Sequence, residues 1–166
     1  MKSLVLALAM VVLTPLASGA EEMRGLSPTQ LGEVFCMAYL SGDEDLALAI
    51  STPVLATAVA HAVARNDAIA RANPDDKPPL GDGVPWMLAP DYASICTVGE
   101  IETKDGIVYV PIHYAFPDDP NVTYDDKLEL GSAPGPYGYG SLRRVDNVLY
   151  GDGGSLQSLL VSIFDQ

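Results

Sequence analysis

The chain has 166 residues, 48% of them hydrophobic and 19% charged, and its 22 acidic against 9 basic side chains give a formal charge of -13 at neutral pH. That composition describes one soluble domain with enough apolar residues for a core, and it excludes a collagen, a coiled coil and wholesale disorder. It also disfavours nucleic acid as a partner, because so few Lys and Arg leave no basic footprint for a phosphate backbone, and long-range steering favours cations.

Lys2 precedes an apolar stretch from Leu4 to Leu16, and the small residues Ala17, Ser18, Gly19 and Ala20 follow before Glu21 and Glu22. This is the pattern of a signal peptide over residues 1–20, cut after Ala20, and it predicts a periplasmic or secreted protein with one mature domain over 21–166. The apolar run is too short for a spanning helix, which needs about 20 apolar residues, so no membrane span is expected in the mature chain. In an oxidising compartment Cys36 and Cys96 are expected to form a disulfide, the alternative being two buried thiols. Closing that loop would stabilise the fold by about 4 kcal/mol in the chain-entropy model. Two lone cysteines and two distant histidines lack the clustered spacing of a zinc site, so no metal is expected there.

Ser27-Pro28 reads as an N-cap with proline at the first helical position, and Leu31, Val34, Phe35 and Ala38 recur at helical spacing up to Gly42. A short second helix is predicted through Leu46 to Ile50, with Asp43, Glu44 and Asp45 complementing its positive end. Thr52-Pro53 repeats the cap signal. Leu55, Ala58, Val59, Ala62, Val63, Asn66 and Ile69 then trace one helix face to about Ala72, before Asn73-Pro74 stops it. His61 lies off that stripe and reads as a solvated residue.

From Asn73 to Pro90 the chain turns to Pro, Asp and Gly, which predicts a loop. Trp86, the single tryptophan, sits inside it, where a large ring most often plugs the end of a core. Four antiparallel strands are expected over Ile95 to Thr103, Ile107 to Phe116, Tyr124 to Leu130 and Leu142 to Tyr150. In the second, Val108, Val110, Ile112, Tyr114 and Phe116 share one face, and Ile107, Tyr109, Pro111, His113 and Ala115 the other. Both faces are apolar enough to predict cover on each side, and Pro111 suggests an edge or a bulge. Leu156, Leu159, Leu160 and Ile163 suggest a closing helix, or a last strand through Leu159 to Phe164.

Three N-terminal helices, a proline-glycine loop and a bent antiparallel sheet resemble the nuclear-transport-factor-2-like cone. The fragments PPLGDGVPW, with Cys96 shortly after, YDDKLEL and RRVDNVLYGDGGSLQSLL are similar to a secreted bacterial family of unknown function in that superfamily, over roughly Leu26 to Leu160. The resemblance implies an α+β fold with N-terminal helices packed on a curved sheet of about four strands. It does not carry a function, since relatives of this cone include isomerases, dehydratases, transport factors and binding modules.

No nucleophile elbow, phosphate loop, zinc-protease motif or dinucleotide fingerprint occurs, so no cofactor is expected. Gly81-Asp82-Gly83 and Gly151-Asp152-Gly153-Gly154 lack the alternating ligands of a calcium loop and read as turns. Asp118, Asp119, Asn121, Asp125 and Asp126 could meet a cation only if their hairpin folded back, and a solvated acidic turn is the simpler reading. Strand alternation puts Asp126 on the face of Leu128 and Leu130, with Asp125, Lys127 and Glu129 toward water. A carboxylate facing an apolar interior has its pKa raised and could act as a general base if His113 or Tyr109 turned to the same cavity. The competing reading has Asp126 paired with Arg143 or Arg144, or bound to a backbone amide. The expectation is therefore an exported, non-enzymatic binding or protein-interaction domain with a candidate pocket of Trp86, Tyr109, His113, Tyr114 and Asp126. Its partner would be a cationic envelope protein or a small apolar ligand in the cone. The alternatives are a small-molecule carrier and a cone-type isomerase or dehydratase using Asp126.

Overall fold

A computed structural model describes residues 25–81, 83–88, 92–135 and 140–165. The signal peptide expected at 1–20 therefore lies outside the described residues, as do Asp82 and the centre of the proline-glycine segment before the last strand.

Helix α1 spans Pro28–Ser41 and opens on a complete capping box: Gln30 N–H donates to Ser27 Oγ at 3.2 Å, and Ser27 N–H donates to Gln30 Oε1 at 2.9 Å. It ends at Gly42, whose φ of 67° is the left-handed conformation that glycine adopts without a Cβ clash. Helix α2, Glu44–Ala49, starts on Asp43, whose Oδ1 accepts the Leu46 amide at 3.0 Å. Helix α3, Pro53–Ala72, is capped by Thr52 and buries Leu55, Val59 and Ala62, while His61 is exposed. These are the helices and caps that the residue pattern predicts. Among the described residues, no helix is long and apolar enough to cross a membrane.

The remainder is an open antiparallel sheet of five strands: β1 Ile95–Val98, β2 Glu102–Lys104, β3 Ile107–Phe116, β4 Asp119–Pro134 and β5 Ser141–Leu149. The order is β1-β3-β4-β5, with β2 pairing β3 beyond the end of β1. The first expected run thus splits in two, because the chain leaves the ladder over 99–101. Pro111 explains the break: residues 99–101 stand opposite Val110 and Pro111, so the expected bulge, and not the alternative edge, is the setting of Pro111. It lies in a central strand, and its carbonyl accepts the Gly99 amide at 2.8 Å, so its missing N–H faces the gap between β1 and β2.

Helix α4, Leu156–Ser162, closes the chain on an N-cap Ser155, so the expected helix forms in place of a last strand. Helix α1 packs on β1 and β3, and α3 and α4 pack together on β5. The core is the inner face of the sheet, where Val110, Ile112, Tyr114, Leu128 and Val148 are fully buried against Leu31, Phe35, Leu55 and Leu156. The outer face departs from the expectation of cover: His113 and Ile107 are exposed and Tyr109 is half-buried. Pro111 alone is buried there, with Pro111 and His113 folded over Gly99, where a Cβ would meet His113 Nε2 at 2.5 Å.

Two fasteners hold the layers. Cys36 on α1 is joined to Cys96 on β1, with Cα atoms 5.4 Å apart. At the other end, segment 50–52 adds to the edge of β5: Thr52 N–H donates to the Val145 carbonyl at 2.8 Å and Val145 N–H to the Ile50 carbonyl at 2.9 Å. Asp146 is the extra residue of a bulge between β4 and β5, and its Oδ1 accepts the Thr52 hydroxyl at 2.6 Å.

Candidate functional site

The sheet register separates the five residues of the expected pocket. His113 pairs across the ladder with Asp125, and Ile112 with Asp126. Alternation then sends His113, Asp125 and Tyr109 to the outer face, where His113 Nδ1 and Asp125 Oδ1 form an exposed hydrogen bond at 2.5 Å. Lys127 meets Glu102 on the same face at 2.8 Å. Tyr114 and Asp126 go inward. His113 and Tyr109 therefore do not share a cavity with Asp126, and the acid-base pair that an isomerase would need is not brought together.

Asp126 is 5% exposed. Its Oδ1 accepts the Gly151 amide at 3.1 Å, so the backbone-amide reading holds and Arg143 and Arg144 do not engage it; Arg144 donates instead to the Ala49 carbonyl. Asp126 Oδ2 and the Tyr114 hydroxyl are both buried without a hydrogen bond of good geometry. Burial pushes the Asp126 carboxyl up to about 6, helped by the nearby Asp152 and Asp125 charges and opposed by the Gly151 amide and the Tyr114 hydroxyl. Burial likewise raises the phenols of Tyr114 and Tyr150, with Asp126 adding to both shifts. Tyr150 does find a partner and donates to the Pro85 carbonyl at 2.6 Å. This is a buried polar cluster on the inner face of the sheet.

The open space lies elsewhere. A pocket of about 350 Å³ is bounded by α1, α2, the loop residues Leu80 and Gly83 to Met87, and Tyr92. Its apolar wall is aromatic. Trp86 packs edge-on against Phe35, with ring centroids 6.2 Å apart and planes at 74°. Tyr92 stacks on Tyr39 at 5.5 Å and 17°, and Tyr39 in turn meets Tyr114 edge-on at 5.1 Å. Tyr39 is fixed because its phenol oxygen accepts the Ala93 amide at 2.9 Å. Glu44 reaches from α2 to the loop and accepts the Val84 amide at 3.3 Å, while Asn66 of α3 accepts the Leu80 amide at 2.9 Å. The loop is thus tied to three helices, although its sequence has no period.

Trp86 is the one residue of the expected pocket that lines this space, and at 9% exposure it is also the core plug that its position suggests. Sequence reading missed Phe35, Tyr39, Tyr92, Asp43 and Glu44. The helical stripe of Leu31, Val34, Phe35 and Ala38 placed Phe35 in the core without marking its edge, and the acidic triplet looked like a helix start. Gly151-Asp152-Gly153-Gly154 is a turn as expected: Gly153 N–H donates to the Tyr150 carbonyl at 3.0 Å and Gly154 N–H to Asp152 Oδ1 at 2.9 Å. Asp125 and Asp126 face opposite sides of β4, and no cluster of His, Cys, Asp or Glu suited to a metal occurs among the described residues. No family model, curated protein or solved structure matches the chain.

Proposed function

We propose that this chain is an exported binding domain that holds a small molecule in the pocket between α1, α2 and the 80–92 loop and does not transform it. The observation that carries the reading is a cavity of about 350 Å³ walled by Phe35, Tyr39, Trp86 and Tyr92, in the size range of ligand sites. The Cys36–Cys96 disulfide is compatible with an oxidising, periplasmic or secreted setting and supports export. Helices ahead of an open antiparallel sheet support kinship with the nuclear-transport-factor-2-like cone, but the space is not inside the cone, whose inner face is filled by Val110, Ile112, Tyr114 and Leu128. Native mass spectrometry of the chain isolated gently from its own cells is expected to show one retained small molecule. A bare chain whose Trp86 emission is unmoved by a metabolite extract would overturn the proposal.

A second reading, a protein partner seated on the sheet edge, is favoured by β1, and the chain's charge of -13 would select a cationic one. Among the described residues this strand is paired on one side only, and its open edge runs beside exposed Met37 and Leu40. Crosslinking from residue 37 in envelope extract is the test, and capture of no basic protein would sink this reading.

A further inference from the structure

The charged residues at the pocket narrow its ligand class. Asp43 and Glu44 line the space together with the aromatic wall, and no described lining residue is basic. Each carboxylate bonds a backbone amide, Asp43 that of Leu46 and Glu44 that of Val84, and the positive end of α2 offsets only part of their charge. An anion would thus enter against two local carboxylates and a chain of charge -13. A neutral apolar guest would gain the rings but nothing from the two exposed carboxylates. A cation on an apolar body uses both: its charge faces the π-surfaces of Trp86 and the tyrosines, which attract it through their quadrupoles, and the carboxylates add a second attraction.

We propose that the pocket selects a small organic cation, an ammonium or related group carried on an apolar frame. This rests on the reading of the pocket as a ligand site, and three probes separate the two claims. Phenyltrimethylammonium, its neutral isostere tert-butylbenzene, and benzenesulfonate are titrated against the folded chain. Trp86 emission gives a readout unique to the site, because the chain has no other tryptophan. Amide shifts of residues 42–47, 83, 84, 86 and 87 locate the binding. The cation is expected to bind saturably and about tenfold or more tighter than the isostere, a ratio that one cation–π contact of about 1.4 kcal/mol supplies. Benzenesulfonate is expected not to bind, and added salt should weaken the cation. Glu44→Gln keeps an acceptor for Val84 and Asp43→Asn keeps the helix cap, so both should fold and each should weaken the cation about three- to fivefold while leaving the isostere unchanged. Equal or tighter binding of tert-butylbenzene would overturn the cation preference and leave the ligand site standing. If no probe moves Trp86 or those amides, the ligand site fails with it.

Discussion

Gly151 offers its amide hydrogen to Asp126 Oδ1 at 3.1 Å, and it can come so close to β4 only because it lacks a side chain. A Cβ there would lie 2.4 Å from the Asp125 carbonyl oxygen, a backbone atom that cannot swing away. Gly151→Ala should push the turn off the strand and strip the buried carboxyl of its donor. A loss of about 2 kcal/mol or more is expected in urea unfolding. A change below about 0.5 kcal/mol would mean the turn relaxes freely.

Asp126 should make stability depend on pH. Its folded value near 6 stands above the ordinary 3.8, so between those values the folded chain holds more proton than the unfolded one, and stability falls as pH rises through that window. The shift corresponds to on the order of 3 kcal/mol, the full cost being present above about pH 6. Asp126→Asn keeps an acceptor for Gly151 and cannot ionise. It should match the parent near pH 3.5 and exceed it by about 2 kcal/mol at pH 7.5. Subtracting the two curves removes the general repulsion of an acidic chain, and parallel curves would refute the assignment.

Gly32 is where α1 meets the sheet. A Cβ at this position would lie 2.7 Å from Val110 Cγ1 and 2.8 Å from Val98 Cγ2. Alanine is the better helix former by about 1 kcal/mol, yet overpacking a fixed interface costs about 1–3 kcal/mol. Gly32→Ala should therefore lower the melting temperature; a rise would show that α1 can shift outward.

Thr52 has two tasks on one oxygen. It accepts the Leu55 amide at 3.2 Å and donates to Asp146 at 2.6 Å. Thr52→Ala should cost about 1–2 kcal/mol, and Thr52→Ser should recover most of it. If serine fails as badly as alanine, the methyl group and not the hydroxyl is what matters.

Reduction of Cys36–Cys96 should destabilise by about 2–4 kcal/mol, since the bond spans 60 positions of sequence. Cys36→Ala/Cys96→Ala should behave like the reduced chain in urea; equal stability of oxidised and reduced forms would argue against a bracing role.

The helices were legible because Ser27-Pro28 and Thr52-Pro53 are local signals that need no tertiary information. The inward turn of Asp126 and the outward turn of His113 followed from strand period alone. The split between β1 and β2 was hidden, because Val98-Gly99-Glu100-Ile101 keeps the look of a strand while its pairing is lost only opposite Pro111. The pocket was hidden for a deeper reason. Phe35, Tyr39, Trp86 and Tyr92 meet through a loop without period, whose path is set by Glu44 and Asn66 capturing its amides from distant helices.

Cys36 adjoins Phe35 on α1, and Cys96 follows Tyr92 by four positions, so a single covalent latch cinches both rims of the aromatic cup. Until the two sulfurs join, the rings of α1 and those of the loop are held together by ring contacts and by the amides of Val84 and Ala93 bonded to Glu44 and Tyr39. Under the proposed reading, reduction should therefore slacken the cup along with the fold.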